Sequence, residues 1–338
     1  MKILFNCPLP FALAHGGMQT QIEQTQSALL ALGMEVEPLR WWDGRQRGDL
    51  IHYFGVAPLD HIRHAQDKGI PVVMTNLFTE ACNRTEARLR RQGWLVRTLL
   101  RLPGGEGIKQ QLAWRSFGRC AANVVGLEAE RRVLELVYQI PRDKVDLVPL
   151  GLETIFLEAK PGKRDGDYLL CAGTITRRKN SVVLARLARA AQVPILFVGK
   201  PYAETEPYWR EFSALVDGRW VRHQPHVADP AAMLALLQAA RGAVVMSDFE
   251  NWCLTAHEAA ACGLPVLLPD QNWSRERFGD QAHYFERVGF SPRNVEILKQ
   301  FHAAAPGLPA PAIQLFSWAA AARRLKAVYE RVSASAAG

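Results

Sequence analysis

No stretch of this sequence approaches the ~20 consecutive apolar residues that a membrane-spanning helix needs, so no membrane span is expected. A C-x-x-C pair is also missing: Cys7, Cys82, Cys120, Cys171, Cys253 and Cys262 are scattered, without metal-ligand spacing. That scatter reads as reduced, mostly buried thiols of a cytosolic protein. There is no G-x-S-x-G elbow, no zinc constellation and no G-x-G-x-x-G loop, which removes the simplest hydrolase and dehydrogenase readings. The opening residues Met1–Asn6 carry one positive charge and a short apolar run interrupted by Asn6, Pro8 and Pro10. A signal peptide needs a longer uninterrupted apolar core, and a first β-strand fits better.

What is present suits a soluble two-domain protein. The 338 residues suffice for two cores, and 49% hydrophobic with 22% charged residues is an ordinary globular balance. The formal net charge of +8 favours anionic partners, whether nucleotide phosphates, phosphorylated lipid carriers, acidic membranes or nucleic acid. Charge alone does not choose among them.

Short apolar runs alternate with helical patterns along the chain. Strands are expected at Lys2–Phe5, Met34–Leu39, Leu50–Tyr53, Val72–Thr75, Asn123–Gly126 and Lys144–Pro149, with helices over Met18–Leu32, Leu59–Lys68 and Glu128–Tyr138. Gly151–Gly166, with Pro161 and Gly162, is the best interdomain linker. A second alternating set follows, with strands at Tyr168–Ala172, Ile195–Val198, Trp220–Arg222, Ala243–Met246 and Val266–Leu268. Its helices are Ser181–Ala191, Tyr208–Leu215, Ala231–Ala239 and Thr255–Cys262, and Phe316–Val332 closes the chain as an amphipathic helix. Such alternation builds doubly wound parallel sheets, whose ligands settle at the carboxyl ends of the strands. The expected division is 1–150, 151–315 and a helical tail, 316–338.

Three segments carry chemistry. In Ser247–Ala259, Glu250 falls in a loop after a strand, and Glu258 falls in the first turn of the following helix, so the two carboxylates come from different elements. Thr255-x-x-Glu258 also has the spacing of a capping box, and spacing leaves cap and ligand contact equally open. Cys171–Asn180 leaves a strand, turns at Gly173 and delivers Arg177, Arg178 and Lys179 to a helix start, where cations can stabilise a diphosphate leaving group. An ordinary basic loop is the alternative. In Pro8–Gly17, His15-Gly16-Gly17 opens a helix; it is either a tight turn or a place where backbone amides approach an anionic ligand.

Taken together these segments resemble glycosyltransferase family 4 and related retaining GT-B enzymes. Glu250–Glu258 resembles the family's E-x7-E motif, trailed by an E-A-x-A-x-G-x-P-V pattern, and Gly173–Asn180 resembles its G-x-x-x-x-R-K-N segment. Weaker likenesses are the G-G loop, Val148-Pro149-Leu150-Gly151, Phe197-Val198-Gly199, His226-Val227 and the turn from Glu276 to Asp280. The resemblance implies an α/β GT-B fold, two Rossmann-like domains facing across a cleft, with the tail helix crossing back to the first. It implies transfer of a sugar from a nucleoside-diphosphate sugar to a hydroxyl of a glycan or lipid-linked acceptor, in polysaccharide or glycolipid biosynthesis, without a metal or other cofactor. Glu250 would lie against the donor sugar, Arg178 and Lys179 would clamp the diphosphate, and Glu258 would hold the ribose. Gly173, Thr174, Gly199, His226, Val227, Leu254 and Thr255 would complete the donor site, and His15, Gly16, Gly17 and Asn76 the acceptor and phosphate side.

The pattern is broken in places. Asn251 and Cys253 stand where the family has glycines, and Asn76 where it often has a histidine. These departures motivate the alternative of a non-catalytic sugar-nucleotide or glycan-binding protein on the same scaffold. Asp165-Gly166-Asp167 has the D-x-D form of metal-dependent transferases but precedes its strand, so linker is the better reading; His61 and His64 lack a third ligand. Finally, Arg84–Arg119 interleaves eight arginines with Trp94, Leu95, Leu99 and Trp114. It is either a solvated helical face or an interfacial helix that docks a cytoplasmic protein on anionic lipid. No nucleic-acid partner is expected, and the oligomeric state stays open.

Overall fold

The structure is a computed structural model that describes residues 1–13, 16–76, 80–104 and 112–337. The chain divides into two compact units. The first comprises Met1–Phe11, Gln19–Gly151 and Trp318–Gly338; the second comprises Ala12–Met18 and Leu152–Ser317.

In the first unit, β1 (Lys2–Asn6), β2 (Glu35–Pro38), β3 (Leu50–Phe54), β4 (Val72–Thr75), β5 (Ala122–Val125) and β6 (Val145–Leu147) form one sheet in the order β2-β1-β3-β4-β5-β6. Every pairing is parallel. Continuous apolar runs such as Val72-Val73-Met74 are buried at each position, as strands covered on both faces must be. The helix Trp318–Ala337 is bonded to this sheet through a buried chain. The Tyr329 hydroxyl lies 2.5 Å from His52 Nδ1, and His52 Nε2 lies 2.7 Å from Thr75 Oγ1. Burial pushes the His52 imidazole down to about 3, so the ring is neutral and offers one donor and one acceptor.

In the second unit, β7 (Leu169–Ala172), β8 (Ile195–Val198), β9 (Val221–Gln224), β10 (Gly242–Val244), β11 (Val266–Pro269) and β12 (His283–Phe285) form a second parallel sheet, ordered β12-β11-β10-β7-β8-β9. Its core joins Leu184 and Leu187 of helix Ser181–Ala191 to Phe197, Phe212, Val244, Leu267, Phe285 and Phe301. The expected class, two Rossmann-like parallel-sheet units, is the one observed.

Several elements fall where the residues place them, including helices Glu128–Tyr138 and Ser181–Ala191 and strand Ile195–Val198. Others are new. Helices Asn272–Phe278 and Pro292–Ala304 flank β12 in a region where sequence patterning shows no element. β12 is a three-residue edge strand, and the second helix turns inward a polar Asn294 whose side chain bonds the carbonyls of Arg287 and Gly289.

The expected linker is the clearest correction. Residues 151–166 include a short helix, Thr154–Leu157, and otherwise pack onto the second unit. A Cβ on Gly162 would stand 2.1 Å from the Gln238 carbonyl oxygen, so only glycine allows the approach. Arg164 and Gly166 donate backbone bonds to Gln238 and Ala239, and the Arg164 guanidinium reaches the carbonyls of Gly263, Ala305, Pro306 and Leu308. Asp167, beside the D-x-D glycine, is held bidentately by Arg222 at 2.6 and 2.7 Å. Arg164→Ala would strip a shared donor from these carbonyls and cost about 1.5–3 kcal/mol. Urea denaturation followed by circular dichroism should show that loss at an unchanged m-value.

Candidate functional site

In the second sheet the strand order reverses between β7 and β10, so their connections leave in opposite directions and open a crevice at the carboxyl ends. Two loops meet there. The loop after β7 runs from Gly173 to Asn180, and the loop after β10 runs to Cys253. They are stitched together: Asp248 N donates to the Arg178 carbonyl at 2.9 Å, and Asn180 Nδ2 donates to Asp248 Oδ1 at 2.7 Å and to the Met246 carbonyl at 3.1 Å. Asn180 takes a left-handed conformation (φ 52°), which asparagine tolerates better than most residues.

This stitching brings Glu250, Lys179 and Arg178 into one cluster. Lys179 Nζ donates to Glu250 Oε1 at 2.5 Å, and Arg178 Nη1 lies 3.3 Å from Glu250 Oε2 and donates to the Phe249 carbonyl at 2.7 Å. Glu250 is only 7% exposed. Burial alone would raise its pKa, but the charges of Lys179 and Arg178 and the Lys179 hydrogen bond overcome it and hold the carboxyl at about 2. Glu250 is therefore an anion at any ordinary pH. The cations keep more solvent access than their partner, most of all Arg178.

Glu258 has the opposite character. Its helix is Leu254–Ala261, so Leu254 and Thr255 are its first residues and Glu258 lies in the second turn, not the first. The capping box is not formed, because Cys253 holds the cap position and Thr255 Oγ1 donates instead to the Ala172 carbonyl at 3.2 Å. That bond pins the helix start to the end of β7. Burial, with a smaller contribution from the Glu153 carboxylate, raises Glu258 to about 7. Glu153 is a partner that sequence reasoning missed, since nothing in local spacing links residues so far apart in the chain.

Between the glutamates the loop is propped by rings. Trp252 stacks on His257 with centroids 4.9 Å apart and planes 12° from parallel, and the Arg277 guanidinium covers the Trp252 ring at 3.9 Å. His257 Nδ1 donates to the Cys253 carbonyl at 3.0 Å, its ring kept neutral by burial. Cys253 itself sits at φ 59°, a conformation that favours glycine.

The glycines of the motif are backbone spacers. Gly199 (φ 156°) follows β8, and a Cβ there would fall 2.0 Å from the Gly173 carbonyl oxygen. Gly173 (φ 143°) faces the Lys179 side chain, whose Cε a Cβ there would meet at 3.5 Å. Thr174 stands beside Gly16, where an added Cβ would come within 2.9 Å of Thr174 Oγ1; Gly17 begins helix Gly17–Ala31. His15 lies outside the described residues. His226 is exposed and Val227 partly buried in the loop after β9. Asn76 belongs to the first unit and is not free to reach outward: its Nδ2 donates to Asn123 Oδ1 at 3.1 Å in a fully enclosed setting, leaving its Oδ1 without a partner.

No protein-family model matches the sequence, and a search of curated proteins gives no match. Solved structures do match over the whole chain. Sucrose-phosphate synthase from Thermosynechococcus elongatus superposes with a TM-score of 0.66 at 15% identity, covering 99% of this chain and 97% of its own. HepE from Anabaena, solved with UDP-glucose, gives 0.63 at 13% identity and 99% and 100% coverage. AviGT4, a glycosyltransferase of avilamycin A biosynthesis, gives 0.61 at 17% identity with 99% and 98% coverage. These likenesses show the fold: this chain is built as GT-B glycosyltransferases are, from two Rossmann-like units.

Proposed function

We propose that the chain is a retaining glycosyltransferase that moves a sugar from a nucleoside-diphosphate sugar to a hydroxyl of a glycan or lipid-linked acceptor. The observation that supports this reading best is the Glu250–Lys179–Arg178 cluster at the switch point. Two cations and one permanent anion suit a donor that carries a diphosphate at one end and a developing oxocarbenium-like sugar at the other. On donor binding, Lys179 and Arg178 turn to the diphosphate oxygens and take up the charge that grows as the bond from the anomeric carbon to phosphate oxygen breaks. The acceptor oxygen attacks from the same face, and the departing phosphate oxygen accepts its proton. Glu250, held near pKa 2, orients the sugar and supports its positive charge rather than shuttling protons. Glu258 would meet the ribose hydroxyls. In this scheme the paired cations supply what a divalent metal supplies elsewhere, and none is needed.

The donor class is testable by thermal shift. Because HepE is solved with UDP-glucose, UDP-sugars come first, then GDP- and ADP-sugars. A ligand at 100 times its Kd adds about 2.7 kcal/mol to stability. A donor panel with no shift at millimolar concentration would count against the reading.

We place the protein on anionic lipid through the helix Glu86–Arg101. One face of that helix buries Leu89, Gly93 and Val96, with Gly93 set so close to the Leu136 carbonyl that no side chain fits. Its outward side leaves Trp94, at 60% exposure, with Leu95 and Leu99 in solvent beside Arg88, Arg90, Arg91 and Arg101, and Leu102 is exposed just past its end. Aromatic and aliphatic groups flanked by arginine suit an acidic interface. Flotation with vesicles containing phosphatidylglycerol should carry the wild type upward. Replacing Arg88, Arg90 and Arg91 by Gln should leave it at the bottom; equal flotation of both would remove the membrane role.

A further inference from the structure

Beyond the donor site, the most unusual surface feature is a pair of solvent-facing indoles. Trp42 is 99% exposed and Trp41 62% exposed, in the loop between β2 and β3. Large aromatic surface is costly to leave in water, and a pair of this kind marks a contact site. The loop is not loosely hung. Gln46 clamps its base, accepting from Arg40 N at 2.8 Å and donating to the Pro38 carbonyl and Glu37 at 3.0 Å. Asp43 pairs with Arg40 at 3.1 Å and accepts from Arg45 N at 3.0 Å. Gly48 lets the chain press on Leu4 where a Cβ would collide. A fixed backbone thus presents the rings before any partner arrives.

Placement narrows the role. Trp41 comes three residues after β2 ends, and its ring meets His61 edge-on at a 5.3 Å centroid distance. His61 is in the first turn of helix Leu59–Gln66, which follows β3. Both contacts put the indoles at the carboxyl edge of the first sheet, the edge at which open parallel sheets bind ligands. Composition narrows it further. The surroundings are Arg40, Asp43, Gly44, Arg45, Gln46 and Arg47, without an exposed aliphatic side chain in the loop. A lipid-inserting loop would mix aliphatic residues with tryptophan, as helix Glu86–Arg101 does. A protein-docking patch would extend as contiguous apolar surface. Flat rings set in a polar loop, with the Arg45 guanidinium exposed beside them, match a pyranose, whose C–H face stacks on an indole while its hydroxyls bond outward.

We propose that Trp41 and Trp42 form a platform for a pyranose ring of the acceptor glycan. This rests on the transfer reading above, which requires a polyhydroxylated acceptor on this chain. The test uses the full chain on a printed array of hexopyranose oligosaccharides, followed by titration of the strongest binder with tryptophan fluorescence. The wild type should bind and its emission should shift. Trp42→Ala, with an unchanged melting temperature, should weaken binding by about tenfold or more, and Trp41→Ala/Trp42→Ala should abolish it. Absence of array binding by the wild type, or equal binding by Trp42→Ala, overturns the platform. Loss of vesicle flotation in Trp42→Ala without loss of glycan binding overturns it in favour of lipid contact. Failure of the transfer reading looks different: no nucleotide sugar is bound or consumed, while oligosaccharide binding still depends on Trp42.

Discussion

Glu250→Gln is expected to lose sugar transfer by roughly a hundredfold to a thousandfold while binding the nucleoside diphosphate at least as tightly as the wild type. The reason lies in the cluster. In the unliganded protein Glu250 compensates Lys179 and Arg178, so it competes with the incoming diphosphate for the same cations. A neutral amide removes that competition, and an affinity gain of about tenfold, or about 1.4 kcal/mol, is the expected scale. The amide also removes the anion that supports the sugar, so transfer falls although binding does not. The reciprocal substitution is a poorer probe. Lys179→Ala leaves a buried carboxylate with one cation at 3.3 Å, and breaking such a pair costs about 3–5 kcal/mol. Its loss of activity would mix folding with chemistry. Lys179→Met/Glu250→Gln separates them: stability should recover relative to Lys179→Ala while diphosphate affinity stays low.

Glu258→Gln should stabilise the protein above neutral pH and make no difference in acid. Glu258 titrates at about 7 in the folded chain against an ordinary 4.5, pushed up by burial and then by Glu153. The folded state therefore holds a proton that the unfolded state releases between these values. Stability falls as pH rises from about 4.5 to 7, and the penalty is complete above 7. At 1.36 kcal/mol per pKa unit the full effect is up to about 3 kcal/mol, removed by the neutral amide. Glu250 runs the other way. Its carboxyl is depressed to about 2, so its contribution is complete above 4.5 and lost as pH falls toward 2. Melting curves of wild type and Glu258→Gln at pH 3.5 and 8.5 should coincide at the first, below the ordinary carboxyl value, and separate at the second. Curves that coincide at both would mean that Glu258 is ionised and solvated. On the transfer reading the same variant should bind donor less well, because an acid placed to meet ribose hydroxyls has been traded for stability.

How much of this was legible follows from the range of each interaction. Strands of uninterrupted apolar residues, such as Val72–Thr75 and Ile195–Val198, and helices with clear periodicity, such as Glu128–Tyr138, declare themselves locally. Arg178, Lys179 and Glu250 do not: their local setting fits an ordinary basic loop and a loop acid equally well, and only the likeness to the family 4 motifs singles them out. Nor does their meeting, because it depends on Asn180 and Asp248 joining two loops nearly seventy residues apart. Local spacing misled at Thr255, where a cap pattern was present but the hydroxyl found the Ala172 carbonyl across the sheet. Composition misled at residues 151–166, where glycine, proline and charge suggested a linker. There Gly162 permits close packing and Arg164 collects carbonyls from distant turns. At Asn76, just past the end of β4, the likeness to a family histidine says nothing of Asn123, to which the amide donates.

The central claim is that Glu250 turns a diphosphate-binding crevice into a sugar-transfer site. The most direct measurement is release of nucleoside diphosphate from UDP-, GDP- and ADP-sugars by wild type and Glu250→Gln, with cell-derived glycans as acceptors and nucleotide affinity measured alongside. Turnover of one donor by the wild type, lost in Glu250→Gln with diphosphate binding retained, is the predicted result. Donor binding by both proteins without turnover by either, or equal turnover by both, would contradict the account.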